Sequence, residues 1–156
     1  MSAEAKLVEL KLQLPPLPKP GGIYKPVVTV GNLAYVSGHV SLDPQGPQGK
    51  ILTGRVGAEV DEAGGKKAAE AAGLAILATL RANLGSLDKV KRVIKTLGMV
   101  NSTADFTNHP EVINGCSDLF AKLWGQDHGI GARSAVGMGA LPRNATVEVE
   151  VIFELA

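Results

Sequence analysis

The sequence predicts a two-layer α+β domain in which two helices cover one mixed β-sheet. Two β-rich runs, Val27–Val30 and Leu33–Val40, are joined by Gly31-Asn32, and such a connection is typical of a hairpin. An Ala- and Leu-rich helical segment follows, and β-rich and helical segments then alternate once more. We expect residues 1–156 to form a single domain, because a domain usually has about 100–200 residues.

The first twenty residues predict a strand followed by an extended arm. Apolar and polar residues alternate from Val8 to Leu14, and a period of two is the mark of a half-buried strand. Four prolines within residues 15–20 then exclude regular strand pairing and keep the backbone extended. We therefore interpret residues 1–20 as an N-terminal strand and a proline-rich arm.

The later elements are separated by loops rich in glycine and proline. Asp61 is a candidate N-cap of the first helix, and Gly85 stands where that helix should end. Pro110 occupies an early position of the second helix, which Gly125 should stop. The predicted elements are helices at Lys66–Asn83 and Glu111–Trp124 and strands at Val90–Asn101, Ala132–Val136 and Val147–Glu154. Two helices cover one face of such a sheet, so we expect oligomerisation to bury the other.

Composition and charge exclude several classes of protein. Sixteen Lys and Arg residues against fifteen Asp and Glu residues leave a net charge of +1, which argues against a dedicated nucleic-acid or membrane-surface protein. The single cysteine, Cys116, excludes an internal disulfide and favours a small core residue over a nucleophile. No secretory signal is visible, and no apolar run approaches the ~20 residues of a membrane helix. We expect a cytoplasmic protein.

No strong catalytic or cofactor-binding motif is present. The glycine-rich nucleotide loops, the nucleophile elbow and the His-Glu-x-x-His zinc motif are all absent. His39, His109 and His128 stand far apart and are more typical of surface or supporting residues than of metal ligands. The basic cluster from Lys89 to Lys95 has no interleaved aromatics, which favours a solvated face over an RNA site. We predict neither a cofactor nor a metal.

Arg133 and a pair of glutamates are the polar residues that stand out. Arg133 lies between a glycine-rich loop and a strand, where a guanidinium is suited to bidentate binding of a carboxylate. The alternative is a solvated or ion-paired arginine of the loop. Glu148 and Glu150 are two positions apart on the last strand and therefore point the same way. That arrangement favours burial and a raised pKa for one of them, but a charged outer face of an edge strand fits it equally.

Several segments together resemble the Rid family, which is also called the YjgF or L-PSP endoribonuclease family. The resembling segments, in the order of the family, are Gly22–Tyr24, Val30–His39, Val93–Thr96, Val112–Asn114, Ala132–Val136 and Val147–Glu150. They extend from about Leu17 to Glu154, and the length of the arm and loops suggests a longer subgroup of the family. The resemblance implies a chorismate-mutase-like fold and a homotrimer with one site at each subunit interface.

The resemblance also implies a reaction, the hydrolysis of reactive 2-imino or enamine acids to 2-oxo acids and ammonia without a cofactor. By position, Arg133 matches the arginine that pairs with the substrate carboxylate, and Glu148 matches the acid that activates the attacking water. Such chemistry needs a fixed substrate and one water held in line. The implied substrate-binding residues are Tyr24, Ser37, Gly38, Asn114 and Arg133. The implied ligand is a small 2-imino or 2-oxo carboxylate.

Three positions depart from the pattern of the family. Ala135 stands where a cysteine is common, His39 replaces a glutamine, and Ile23 replaces a proline. Loss of the thiol removes a contact in the pocket and favours an alternative, a non-catalytic trimer that binds small carboxylates or partner proteins. A third possibility is the ribonuclease activity in the name of the family. The balanced charge and the sparse aromatics argue against it.

Overall fold

The computed structural model describes all 156 residues and has a five-stranded mixed sheet. The strands are β1 (Val27–Val30), β2 (Leu33–Val40), β3 (Val90–Asn101), β4 (Ala132–Met138) and β5 (Val147–Leu155), and the helices are α1 (Ala3–Glu9), α2 (Glu62–Leu84) and α3 (His109–Gly129). The strand order is β1-β2-β5-β3-β4. Neighbouring strands are antiparallel except for the parallel pair β3–β4. The predicted α+β fold is confirmed.

Local sequence signals account for the hairpin and for both long helices. Gly31 makes the two-residue turn between β1 and β2 with a φ of 57°, a conformation that costs glycine little. The Asp61 side chain caps α2 by accepting a hydrogen bond from the Gly64 amide at 2.7 Å. Gly85 ends α2 in the left-handed conformation, and Gly125 interrupts α3 with a φ of 78°. Past that kink, α3 continues for one more short helical stretch.

The N-terminal strand prediction is wrong, because Ala3–Glu9 form helix α1. Contacts distant in sequence hold this helix: Glu4 accepts a hydrogen bond at 2.9 Å from the amide of Leu87, where a short 3₁₀ turn begins. The alternating residues lie mostly beyond α1, where Lys11 turns the chain with a φ of 54°. Residues 12–20 form neither helix nor strand, as the prolines predict.

Helices α2 and α3 pack side by side on one face of the sheet. Their backbones approach closely, since a Cβ on Gly115 of α3 would overlap the carbonyl oxygen of Lys66 in α2. The core-facing residues of β5 are all buried: Val147, Val149, Val151 and Phe153. No helix in the fold combines the length and the apolar character that a membrane-crossing segment requires.

The other face of the sheet is open in the single chain, as the two-layer prediction requires. It presents apolar side chains beside a shallow cleft of about 460 Å³. Val28 and Tyr35, a cross-strand pair at one edge of this face, remain 45% and 44% exposed. Leu97 and Ile152 continue the apolar surface across the middle of the sheet. An exposed patch of this kind is typical of a surface that a partner covers.

Candidate active site

Four of the residues that the resemblance implicates meet in one cleft of about 570 Å³, here called the Glu148 cleft. It lies beside the junction of β2 and β5 and is lined by Tyr24, Ser37, Gly38 and Glu148, among others. The proline-rich arm forms one wall, and the Tyr24 hydroxyl holds the end of that arm by accepting a hydrogen bond from the Gly21 amide at 3.2 Å. The sequence alone does not reveal that the arm reaches this cleft.

A β-bulge in β2 shapes the floor of the Glu148 cleft. The register of β2 against β5 shifts between Val36 and His39, so that Ser37 and Gly38 together stand opposite one residue of β5. The Ser37 hydroxyl donates a hydrogen bond to the Lys25 carbonyl at 2.6 Å, which secures the bulge from the side of the arm. A bulge of this kind interrupts the regular hydrogen bonding between two strands and redirects the side chains and backbone groups next to it.

The Glu148 carboxylate lies directly against Gly38. A Cβ at position 38 would overlap the carboxylate, so the absence of a side chain there is what admits it. Burial raises the pKa of Glu148, and the negative charge of exposed Glu150 raises it further. No hydrogen bond offsets either effect. The sequence prediction that one of the two glutamates is perturbed is therefore confirmed, and β5 is the central strand rather than an edge strand.

His39 lies behind the bulge and connects it to α2. Its Nδ1 is 2.6 Å from the Ser37 carbonyl oxygen, and its Nε2 is 2.7 Å from the Thr79 hydroxyl. Because a carbonyl can only accept, Nδ1 carries the proton and Nε2 accepts from Thr79 in the neutral ring. Burial lowers the pKa of His39, which keeps the ring neutral. His39 thus fixes the bulge of β2 to helix α2 through these two hydrogen bonds.

Arg133 and Asn114, the remaining predicted site residues, lie together in a second region, here called the Arg133 corner. The Arg133 Nη1 donates hydrogen bonds to Asn114 Oδ1 at 2.7 Å and to Ser117 Oγ at 3.1 Å, and Nη2 donates to the Pro110 carbonyl at 3.4 Å. All three acceptors are neutral groups of α3. Arg133 forms no ion pair within the single chain, and its guanidinium lies at a partly exposed position.

The Glu148 cleft and the Arg133 corner lie on opposite faces of the sheet. Arg133 of β4 pairs with Thr96, whose side is covered by the helices. Glu148 of β5 pairs with Met99 on the open side, and β3 separates the two strands. Because side chains alternate across a strand, the two predicted catalytic residues do not converge within one chain.

Two basic residues that line the Glu148 cleft are not predicted from the sequence. Lys19 comes from the proline-rich arm, and Arg143 comes from the turn between β4 and β5. The only signal for Arg143 is its place after Leu141-Pro142 in a turn, which says nothing about the cleft. Cys116, in contrast, is fully buried as predicted, and burial raises the pKa of its thiol. The fold contains no cluster of three or more metal-ligating side chains.

Comparison with known proteins identifies the family. A family model described as "YjgF/chorismate_mutase-like, putative endoribonuclease" matches residues 4–155. Protein TCP17 of Trypanosoma cruzi is 39% identical over 151 residues, which cover 97% of this chain and 92% of that protein. A protein of Dermatophagoides farinae named 2-iminobutanoate/2-iminopropanoate deaminase is 28% identical over 143 residues, covering 90% of this chain and 92% of its own.

A solved structure shares the fold of this chain. Protein Atu1372 from Agrobacterium tumefaciens, described as of unknown function, superposes with a TM-score of 0.85 at 42% identity, covering 98% of this chain and 91% of that one. The match includes the N-terminal segment, since almost the whole chain is covered. On the family match, the identities and the superposed fold together, the chain belongs to the YjgF/chorismate-mutase-like family.

Proposed function

We propose that the protein hydrolyses reactive 2-imino acids to 2-oxo acids and ammonia. The observation that carries this proposal is the state of Glu148, a half-buried carboxylate without a hydrogen-bond partner in an open cleft, whose pKa is raised by burial. Perturbed carboxyls of this kind are typical of proton-transfer sites. The name of the Dermatophagoides farinae relative, an imine deaminase, supports the reaction class.

The reaction converts an iminium, R–C(=NH2+)–COO−, and one water into R–C(=O)–COO− and NH4+. Glu148 takes a proton from the water as its oxygen adds to the imine carbon, which gives a carbinolamine. Glu148 then returns its proton to the nitrogen, and the carbon–nitrogen bond breaks as the hydroxyl oxygen becomes the carbonyl oxygen. Glu148 takes up the hydroxyl proton and passes it to the departing ammonia, which leaves as ammonium. A raised pKa makes Glu148 a stronger base and a better-matched donor near neutral pH. These steps need no cofactor.

The other residues of the proposed site fix the substrate and the acid. Gly38 leaves the room in which the Glu148 carboxylate and a water can approach the substrate. Ser37 and Tyr24 line the same cleft, where their hydroxyl oxygens remain able to accept a further hydrogen bond. Arg133 presents a charged fork suited to the carboxylate shared by all 2-imino acids, and Asn114 holds that fork in position.

We infer that each complete site forms between two copies of the chain in a homotrimer. The open apolar face of the sheet gives the copies a surface to bury, and the separation of Glu148 from Arg133 gives a reason for the assembly. In this arrangement the Glu148 cleft of one copy receives the Arg133 corner of its neighbour. The small 2-imino acid, or the 2-oxo product, binds between them.

A semicarbazide-competition assay tests the proposed reaction. An amino-acid oxidase generates the imino acid in solution, and the protein should suppress formation of the semicarbazone. Arg133→Ala and Glu148→Gln should each abolish the suppression. The matched control, Glu150→Gln, removes a neighbouring carboxylate of the same strand and should retain turnover. Since the charge of Glu150 raises the pKa of Glu148, this control should also move the acid limb of the pH–rate profile to lower pH.

Mixing the two inactive variants tests the shared site. In a mixed trimer, an interface that takes Glu148 from an Arg133→Ala subunit and Arg133 from a Glu148→Gln subunit is intact. Co-refolded variants should therefore regain a fraction of the wild-type turnover, although neither is active alone. No recovery in a verified mixed trimer would place both residues' functions within one chain or remove one of them from the reaction.

A non-catalytic carboxylate-binding protein is the second candidate. Ala135 favours it, because this residue follows Arg133 on the same side of β4 and brings no thiol to the site. Its signature would be Arg133-dependent binding of 2-oxo acids, measured by calorimetry, without any suppression of semicarbazone formation.

A further inference from the structure

We propose that the Glu148 cleft selects imino acids with a second carboxylate, so that its preferred substrates are short 2-imino dicarboxylates. The inference rests on the proposed hydrolysis and names its substrate class. It follows from two basic side chains that line the cleft together with Glu148, those of Lys19 and Arg143. Neither is needed to bind the carboxylate common to all 2-imino acids, because Arg133 of a neighbouring copy serves that group.

Both cations of the cleft lack an acidic partner. None of the seven ion pairs of the protein involves Lys19 or Arg143. Glu148 is the one carboxylate that lines the cleft, and its pKa is raised rather than lowered. A cation in contact with Glu148 would have the opposite effect on that pKa. Neither cation lowers the pKa of Glu148, and both positive charges remain available to an anionic ligand.

Arg143 is held in place by a constrained turn. Its φ is 54° and that of Asn144 is 58°, a left-handed conformation that is uncommon for residues other than glycine. Asn144 is fixed on two sides, because its side-chain oxygen accepts a hydrogen bond from Asn101 and its carbonyl accepts one from the Gly54 amide, both at 3.1 Å. Such backbone conformations persist where the surroundings impose them, and they concentrate at ligand sites.

Lys19 is positioned by the prolines on either side of it. Pro18 and Pro20 restrict the backbone of the arm to extended conformations, so little chain entropy is lost when a ligand binds there. The arm ends at Gly21, whose amide is bonded to the Tyr24 hydroxyl. The arm thus carries a positive charge to the cleft on a backbone that is already ordered.

The chemistry of the cleft fits a second carboxylate better than an apolar side chain. Lys and Arg provide charge-assisted hydrogen bonds to carboxylates, and a pair of unneutralised cations also attracts an anion from a distance. A cleft of about 570 Å³ accommodates a dicarboxylate of four or five carbons. The distal carboxylate would lie near Lys19 and Arg143 and away from Glu148, which leaves the imine carbon beside the acid.

The decisive measurement compares 2-iminoglutarate with 2-iminobutanoate, both generated in solution by amino-acid oxidases. The wild-type protein should hydrolyse the dicarboxylate with the higher kcat/KM. In Arg143→Gln the ratio of the two kcat/KM values should fall about tenfold, which corresponds to roughly 1.4 kcal/mol. Lys19→Gln should lower the ratio less, because an ammonium group cannot make the bidentate contact of a guanidinium. The control Lys67→Gln removes an exposed charge from α2 and should leave the ratio unchanged.

Three results would overturn the inference. The first is wild-type protein that hydrolyses both imines equally well. The second is an Arg143→Gln variant that loses activity toward both to the same extent, since Arg143 would then bind the common carboxylate. If neither imine is hydrolysed, the proposed reaction fails, and calorimetry with 2-oxoglutarate and 2-oxobutanoate decides the selectivity separately. Tighter, Arg143-dependent binding of 2-oxoglutarate would support it, and equal binding is the third result against it.

Discussion

The charged groups of the Glu148 cleft and of the Arg133 corner lie in opposite environments, one half-buried without a hydrogen bond and the other held by several. Arg133 donates three hydrogen bonds to neutral groups of α3, and its orientation is fixed before any ligand arrives. Glu148 has no such partner and is destabilised in its charged form by burial. A group that only binds gains when its orientation is already fixed, whereas a group that exchanges protons gains when its environment shifts its pKa. The contrast fits the proposed roles, which are substrate binding in the Arg133 corner and proton transfer in the Glu148 cleft.

Among changes that keep both Arg133 and Glu148, Gly38→Ala should have the largest effect, because it fills the space beside the Glu148 carboxylate. The new Cβ would overlap the Glu148 carboxylate and displace it. Since a displacement of about 1 Å at a reacting group can cost roughly 100-fold in rate, kcat should fall by about that factor. Gly139→Ala is the matched control, because nothing lies within 4 Å of a Cβ there. Equal kcat values for the two variants would show that Glu148 need not lie against the bulge.

A smaller effect should follow from Asn114→Ala, which loosens the Arg133 corner without removing its charge. Loss of the 2.7 Å hydrogen bond to a charged donor is worth about 1.5 kcal/mol, so KM should rise roughly tenfold while kcat changes less. Asn108→Ala, at the start of the same helix, removes a surface amide bonded to Glu62 and serves as the control. A fall in kcat at constant KM would mean that Arg133 acts in the chemical step rather than in binding.

The smallest effect concerns the free energy of unfolding and its dependence on the charge of Glu148. The folded state raises the pKa of Glu148, so it binds that proton more tightly than the unfolded chain does, and stability is lost as pH rises through the raised pKa. Glu148→Gln should therefore stabilise the fold above this range, by less than about 1 kcal/mol because the carboxyl is partly solvated, and should have no such effect at low pH. Urea unfolding at several pH values measures this. A variant that is less stable than wild type at neutral pH would contradict the raised pKa of Glu148 in the folded protein.

The fold was predictable wherever the signal was local. A two-residue turn with glycine, an aspartate cap and a helix-ending glycine each act within a few residues, and Gly31, Asp61 and Gly85 act as expected. Helix α1 was not predictable, because its hydrogen bonds reach residues more than eighty positions away, such as that between Glu4 and Leu87. Apolar and polar residues alternate from Val8 onward with the period of a strand, but most of them form a turn and the extended arm.

The candidate site was predictable as a set of residue types and not as an arrangement. Family resemblance pointed to Arg133 and Glu148, and the pairing of glutamates on one strand predicted a raised pKa. Which face of the sheet each residue occupies depends on the register between strands, and no local pattern specifies that register. Lys19 and Arg143 reach the cleft through a proline-rich arm and a left-handed turn, so their proximity follows from the tertiary fold alone.

The burial of Cys116 has a practical consequence for following motion in this molecule. Its sulfur lies between α3 and Gly73 of α2, where a Cβ on the glycine would come within 3.1 Å of it. A thiol enclosed in this way reacts with alkylating reagents only in molecules whose two helices have separated. Because the chain has a single cysteine, one mass increment counts each opened molecule. The rate of alkylation of the unmodified protein therefore reports how often α2 and α3 part under native conditions.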